Sequence, residues 1–144
     1  NRPERKWLLI LWAVALIQIL LGTGIRSSVE IIWGQFPLLM VGDVLEKVGI
    51  INYFHTFLGI FLAIGTLMIG LKILKIEGIA SVSKQSVWLL NILIFVQIFI
   101  GINLHLFGLP PILQVFHLWI ASIFIGVLLV LYTDLKYEQV KNDT

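Results

Sequence analysis

From Gln85 to Thr133 the chain carries no Asp, Glu, Lys or Arg, and in the middle of that run stands Gly108-Leu109-Pro110-Pro111. Proline inside a helix lacks the backbone donor and clashes with the preceding turn, so the run cannot be one helix. It divides into two segments, each close to the roughly 20 apolar residues that cross about 30 Å of hydrocarbon. Two similar uncharged runs precede it, and the expected spans are 7–25, 48–71, 85–107 and 112–133. With 59 % hydrophobic and 12 % charged residues and a mean hydropathy of +1.01, the 144-residue chain is too apolar for a water-soluble domain. The predicted fold class is all-α: a polytopic membrane four-helix bundle, one domain over residues 1–144, with 26–47 as an amphipathic outer loop that forms a short helix or lid.

Charge placement sets an expected orientation, because cytoplasmic segments flanking membrane spans collect Lys and Arg. Arg2, Arg5, Lys6, Lys72, Lys75, Lys84, Lys136 and Lys141 fall on one side, whereas Arg26 and Lys47 fall on the other. Both termini are therefore expected on the cytoplasmic face of a multi-pass protein, in a bacterial cytoplasmic membrane. The net charge of +2 is a signal of topology, and no nucleic-acid partner is implied. The first apolar run exceeds the core of a secretory signal and lacks a small-x-small cleavage site. The chain begins with Asn1, and reads as a processed product or a piece of a longer polypeptide. It has no cysteine, which removes disulfides, thiolate metal sites and covalent c-type haem attachment and leaves histidine as the soft ligand.

One pattern occurs twice. Gln18-Ile19-Leu20-Leu21-Gly22 is followed by Phe54-His55, and Gln97-Ile98-Phe99-Ile100-Gly101 is followed by Phe116-His117. The bundle therefore reads as two repeated two-helix units. Histidine inside a membrane span is rare and usually functional. His55 and His117 each lie about one turn into a helix, and the second and fourth spans run in the same direction, so both imidazoles reach one level. Bundle cores house cofactors between facing helices, and bis-imidazole ligation of haem iron needs one nitrogen on each side of the porphyrin. The competing reading is a pair of interfacial residues hydrogen-bonded within the bundle; the duplication favours ligands.

The neighbours fit a cofactor site. Four residues after each histidine, on the same face, stand Gly59 and Ala121, small enough to admit a flat macrocycle; Gly22 and Gly101 permit close approach too. Helix packing alone also selects small residues. Three residues before the histidines stand Asn52 and Gln114, carboxamides able to accept from the second ring nitrogen, as ligating histidines require, or to act near the helix starts as caps. Eight residues after the repeated glutamines stand Arg26 and His105. Arg26 is suited to a haem propionate or to anchoring at the interface, and His105 is propionate-facing or interfacial rather than axial.

The segments Gln18-Ile19-Leu20-Leu21-Gly22-Thr23-Gly24-Ile25-Arg26, Tyr53-Phe54-His55, Gln97 to Gly101 and Leu113-Gln114-Val115-Phe116-His117-Leu118-Trp119-Ile120-Ala121 resemble, in order and spacing, the haem A synthase family. That family oxidises the C8 methyl of haem O to the formyl group of haem A for cytochrome oxidase. The resemblance covers nearly the whole chain. Family members are usually eight-helix proteins of two similar four-helix halves, the N-terminal half holding haem O or A and the C-terminal half a haem b that passes electrons. The family's catalytic glutamate stands three residues before the first histidine of the substrate half; here that residue is Asn52, which cannot exchange a proton as a carboxylate does. Thr56 replaces the arginine that often follows this histidine, and the loop cysteines are missing.

The resemblance thus implies the haem b half, with His55 and His117 as axial ligands of the iron and no catalytic residue assigned to this chain. It also implies a companion substrate-binding half or second protomer, with haem O synthase or cytochrome oxidase as further partners in the membrane. Other readings are a free-standing b-type cytochrome subunit of a respiratory complex, a cofactor-free assembly subunit, and a complete synthase formed by homo-oligomerisation with Glu30 as its carboxylate.

Overall fold

The computed structural model describes residues 3–143, with side chains described through residue 138. Asn1, Arg2 and the side chain of Lys141 lie outside the described residues. The elements are α1 (Pro3–Gln35), α2 (Val41–Val48), α3 (Ile50–Leu74), α4 (Ser81–Leu106) and α5 (Pro111–Asp143). All except α2 are long and apolar enough to cross a membrane. The chain is an all-α, multi-pass membrane bundle. Its lipid-facing surface is apolar on every long helix; Leu20, Phe95, Phe99 and Trp119, for example, are exposed.

The first helix runs ten residues past the expected end of its span. At 1.5 Å per residue, the 33 residues of α1 extend about 50 Å, well beyond the hydrocarbon. Nothing between Arg26 and Gln35 breaks it: Arg26 Nε and Glu30 Oε1 pair at 3.1 Å one turn apart, and Val29 is buried under α2. Pro37 ends it, because the residue before a proline is disfavoured in helical conformation. The expected loop 26–47 is thus a helical extension, a bend closed by Trp33 Nε1 donating to the Leu39 carbonyl at 3.1 Å, and the amphipathic α2. Val44 and Leu45 of α2 pack with Val29 into a small outer cluster. Gly49, at φ 74° and ψ −139°, then reverses the chain into α3, a conformation that only glycine adopts at low cost.

The Gly-Leu-Pro-Pro segment behaves as its composition predicts. Gly108 and Leu109 take positive φ, 80° and 56°, and Pro111 opens α5, where its missing N–H leaves no helical bond unmade.

The four long helices form a ring in which α1 packs on α3, α3 on α4, α4 on α5 and α5 on α1. The histidine-bearing helices α3 and α5 therefore stand on one diagonal, and the glutamine-bearing helices α1 and α4 on the other. At the end that gathers most of the lysines, Ser83 Oγ donates to Asp134 Oδ2 at 2.6 Å, the Ala80 N–H donates to Glu138 Oε1 at 2.6 Å, and Arg5 Nη2 donates to the Tyr132 hydroxyl at 3.4 Å. These contacts clamp the start of α4, and α1, to the end of α5. The indole N–H of Trp12 is enclosed by the bundle.

Burial along the helices is uneven in a way that matters for the site. The main core takes Leu8, Leu11 and Ala15 from α1, Leu62, Ile69 and Ile73 from α3, Val87, Leu90 and Ile94 from α4, and Phe124, Leu128, Leu131 and Leu135 from α5. All of these lie in the lysine-rich half. The outer cluster beneath α2 lies at the other end. Between the two, no residue is buried over 16–28, 50–61, 95–103 or 111–123. Both repeated histidines fall at that level.

Candidate functional site

Each repeat builds the same local structure. Gln18 on α1 reaches across to α3 and donates through Nε2 to the main-chain carbonyl of His55 at 2.7 Å. Gln97 on α4 reaches across to α5 and donates through Nε2 to the carbonyl of His117 at 2.8 Å. Four residues beyond each glutamine, one helical turn along the same face, a glycine receives the ring of that histidine. A Cβ on Gly22 would stand 3.3 Å from His55 Cε1, and one on Gly101 would stand 3.6 Å from His117 Cε1. The Gln-x-x-x-Gly spacing therefore has a mechanical meaning: the amide holds the backbone of the histidine while the glycine makes room for its ring.

Both rings are half-buried. In each, Nδ1 is enclosed and has no hydrogen-bond partner, whereas Nε2 keeps accessible surface. The helices that carry the rings, α3 and α5, share no extensive packing. Among the described residues no three His, Asp or Glu side chains gather into a metal site. A bare ion would find two imidazoles at most and lack the remaining donors, so these two suit a metal that arrives with its own planar ligands, as in a porphyrin.

The other expected site residues divide. Gly59 and Ala121 stand one turn after the histidines; at Gly59 the space serves a glutamine, since a Cβ there would stand 3.1 Å from Gln18 Nε2. Asn52 makes no side-chain bond to His55; its carbonyl accepts from Thr56 Oγ1 at 3.0 Å. Gln114 donates through Nε2 to the Leu109 carbonyl at 2.7 Å and so fastens the turn before α5. Arg26 and His105 are both exposed and lie one turn beyond Gly22 and Gly101, so glutamine and glycine are followed along one face by arginine on α1 and by histidine on α4. Arg26 is already paired with Glu30, at side-chain exposures of 55 % and 66 %.

The residues that sequence reasoning left without a role are Gln18 and Gln97. The signal was present, since both define the repeat, but their target is a main-chain carbonyl on another helix and no side-chain pattern announces such a target. Searches of protein-family models, curated proteins and solved structures find no match to this chain.

Proposed function

We propose that this chain is a b-type haem-binding unit in which His55 and His117 are the axial ligands, and that it transfers electrons within a haem A synthase. One observation carries the haem reading: two glycine-seated imidazoles, with accessible Nε2 atoms, lie at the one level where none of the four long helices buries a side chain. A flat ligand of porphyrin size needs such a layer, closed on one side by a packed core and on the other by the α2 cluster. The iron, when bound, supplies reversible one-electron redox chemistry. The chain's own residues do the rest. His55 and His117 would hold the iron, the glycines set how closely the rings approach α1 and α4, and the α2 cluster would limit water from its end of the bundle. Arg26, released from Glu30, and His105 offer donors toward propionates.

The assignment to the haem A synthase family rests on the resemblance of the repeated motifs. Asn52 at the position of the family's glutamate supports the electron-transferring half over the substrate half, and so a companion half or second protomer that holds haem O. The charge asymmetry supports cytoplasmic termini.

Purified protein is expected to show a reduced-minus-oxidised spectrum of low-spin b-type haem, and His55→Ala or His117→Ala is expected to abolish it while circular dichroism stays helical. Unchanged haem content in both variants rules the site out. Membranes containing the chain and its companion, supplied with haem O, are expected to form haem A or its alcohol intermediate. A haem-loaded chain without that product is instead a free-standing cytochrome subunit.

A further inference from the structure

Each repeat unit contains a second pair of atoms that the hydrogen bonds described above do not use. The glutamine amide that holds the histidine carbonyl has an Oε1 that is buried and without a partner, in Gln18 and again in Gln97. The histidine that it holds has an Nδ1 that is buried and without a partner, in His55 and again in His117. Buried polar groups are nearly always hydrogen-bonded, so each orphan calls for an explanation. Here an acceptor and a ring nitrogen are orphaned together, on residues already bonded to one another, and the coincidence occurs twice by independent stretches of chain.

We infer that Gln18 and Gln97 are positioning residues of the axial ligands, each using its carboxamide at both ends: Nε2 on the histidine carbonyl and Oε1 accepting the Nδ1–H of the same histidine. This rests on the haem reading above and extends it. An imidazole that ligates through Nε2 carries its proton on Nδ1, and the acceptor for that proton fixes the tautomer, the ring plane and the basicity of the ligating nitrogen. Gly22 and Gly101 confine the other direction of motion, because Cε1 of each ring lies against them. Gly59 belongs to the same device, since any side chain there would press on Gln18 Nε2. The other carboxamides near the rings make no bond to them: Gln114 donates through Nε2 to the Leu109 carbonyl, and Asn52 makes no bond to His55. Neither Oε1–Nδ1 pair is joined in this structure; on this inference each closes when the ring carries its proton on Nδ1. A purely structural tie between helices would not need the histidine as its target twice.

The test uses the full chain in detergent, as wild type and as the Gln18→Leu, Gln18→Glu, Gln97→Leu and Gln97→Glu variants. In the haem-loaded protein, removing the acceptor makes the imidazole a weaker donor and is expected to raise the midpoint potential in the Leu variants. The stronger carboxylate acceptor is expected to lower it in the Glu variants. Haem lost from a Leu variant and regained in the matching Glu variant has the same meaning. Potentials unmoved in either direction with bis-histidine haem retained overturn the inference, and so does haem lost equally from Leu and Glu variants of unchanged helicity. Protein labelled with 15N-histidine and free of haem separates this from the parent reading. There the wild type is expected to show Nδ1–H for both rings and the Leu variants to lose that preference. A wild type that takes up no haem yet keeps the Nδ1–H preference overturns the haem reading alone. A haem-free wild type with no such preference overturns the pairing.

Discussion

Gln18 on α1 and His55 on α3 are joined by a 2.7 Å hydrogen bond from a side-chain amide to a main-chain carbonyl, at a level where neither helix buries a residue. Side-chain bonds between membrane helices contribute only about 0.6 kcal/mol on average, and rarely more than about 1.7 kcal/mol. Gln18→Leu in the haem-free protein is therefore expected to lower stability by about 1 kcal/mol or less, read from denaturant-induced loss of helicity in detergent. A loss of several kcal/mol would mean that the amide is chiefly a structural tie. The same substitution in the haem-loaded protein is expected to weaken haem retention about 10- to 100-fold, the range typical for residues that orient a metal ligand.

The glycines that seat the rings differ in their tolerance. Replacing a mid-helix glycine by alanine ordinarily gains about 0.5–1 kcal/mol from backbone entropy. At Gly101 the added methyl meets His117 Cε1 at 3.6 Å, an ordinary contact, so Gly101→Ala is expected to be neutral or stabilising. At Gly22 the distance to His55 Cε1 is 3.3 Å, and the ring must give way. Gly22→Ala is expected to forfeit the gain and to disturb the haem spectrum more than Gly101→Ala. Equal spectra from the two variants would show that the rings do not rest on these glycines.

Packing in the closed half is less forgiving. A methyl on Gly65 would stand 2.7 Å from Leu11 Cδ2, and Leu11 is only 1 % exposed within the main core. Gly65→Ala is expected to destabilise by about 1–3 kcal/mol, the usual result of overpacking. Gly126→Ala has nothing within 4 Å and is expected to stabilise by about 0.5–1 kcal/mol. Thermal unfolding of the two variants side by side checks both signs.

Ser83 is completely buried, and its hydroxyl donates to Asp134 at 2.6 Å. Ser83→Ala leaves the carboxylate short of a donor in a poorly solvated corner, with an expected loss of about 1–3 kcal/mol. The site lies far along the bundle from the histidines, so haem uptake by the folded variant is expected to match wild type. A changed haem spectrum in folded Ser83→Ala would contradict the separation of the two halves.

Much of the fold was legible because its causes are local. Pro110 and Pro111 divide the long uncharged run wherever the surrounding chain goes, and spans cut by charge agree with the helices except at their ends. The error at Arg26–Gln35 has a physical origin: hydropathy marks where a helix leaves hydrocarbon, not where the helix stops, and Pro37 sets the stop. At the site, the histidines were legible as a repeated rarity. What Asn52, Gln114, Gly59 and Ala121 meet was not legible, because an i−3 or i+4 spacing establishes only that two residues share a face. It does not tell which atom on a neighbouring helix they meet.

The sequence by itself determined four apolar spans, the sign and placement of the flanking charge, and a glutamine, glycine and histidine repeat with Asn52 where a carboxylate is expected by resemblance. These follow from the solvent preference of side chains and from backbone sterics, which act residue by residue. Only the tertiary structure decided that α3 and α5 stand on a diagonal, that no residue is buried at the level of their histidines, and that Gln18 and Gln97 grip the histidine carbonyls. Those relations depend on which helices become neighbours and at what height. Uniformly apolar helices in lipid carry no hydrophobic stripe to select a partner face, so close packing and a few interhelical hydrogen bonds make that choice.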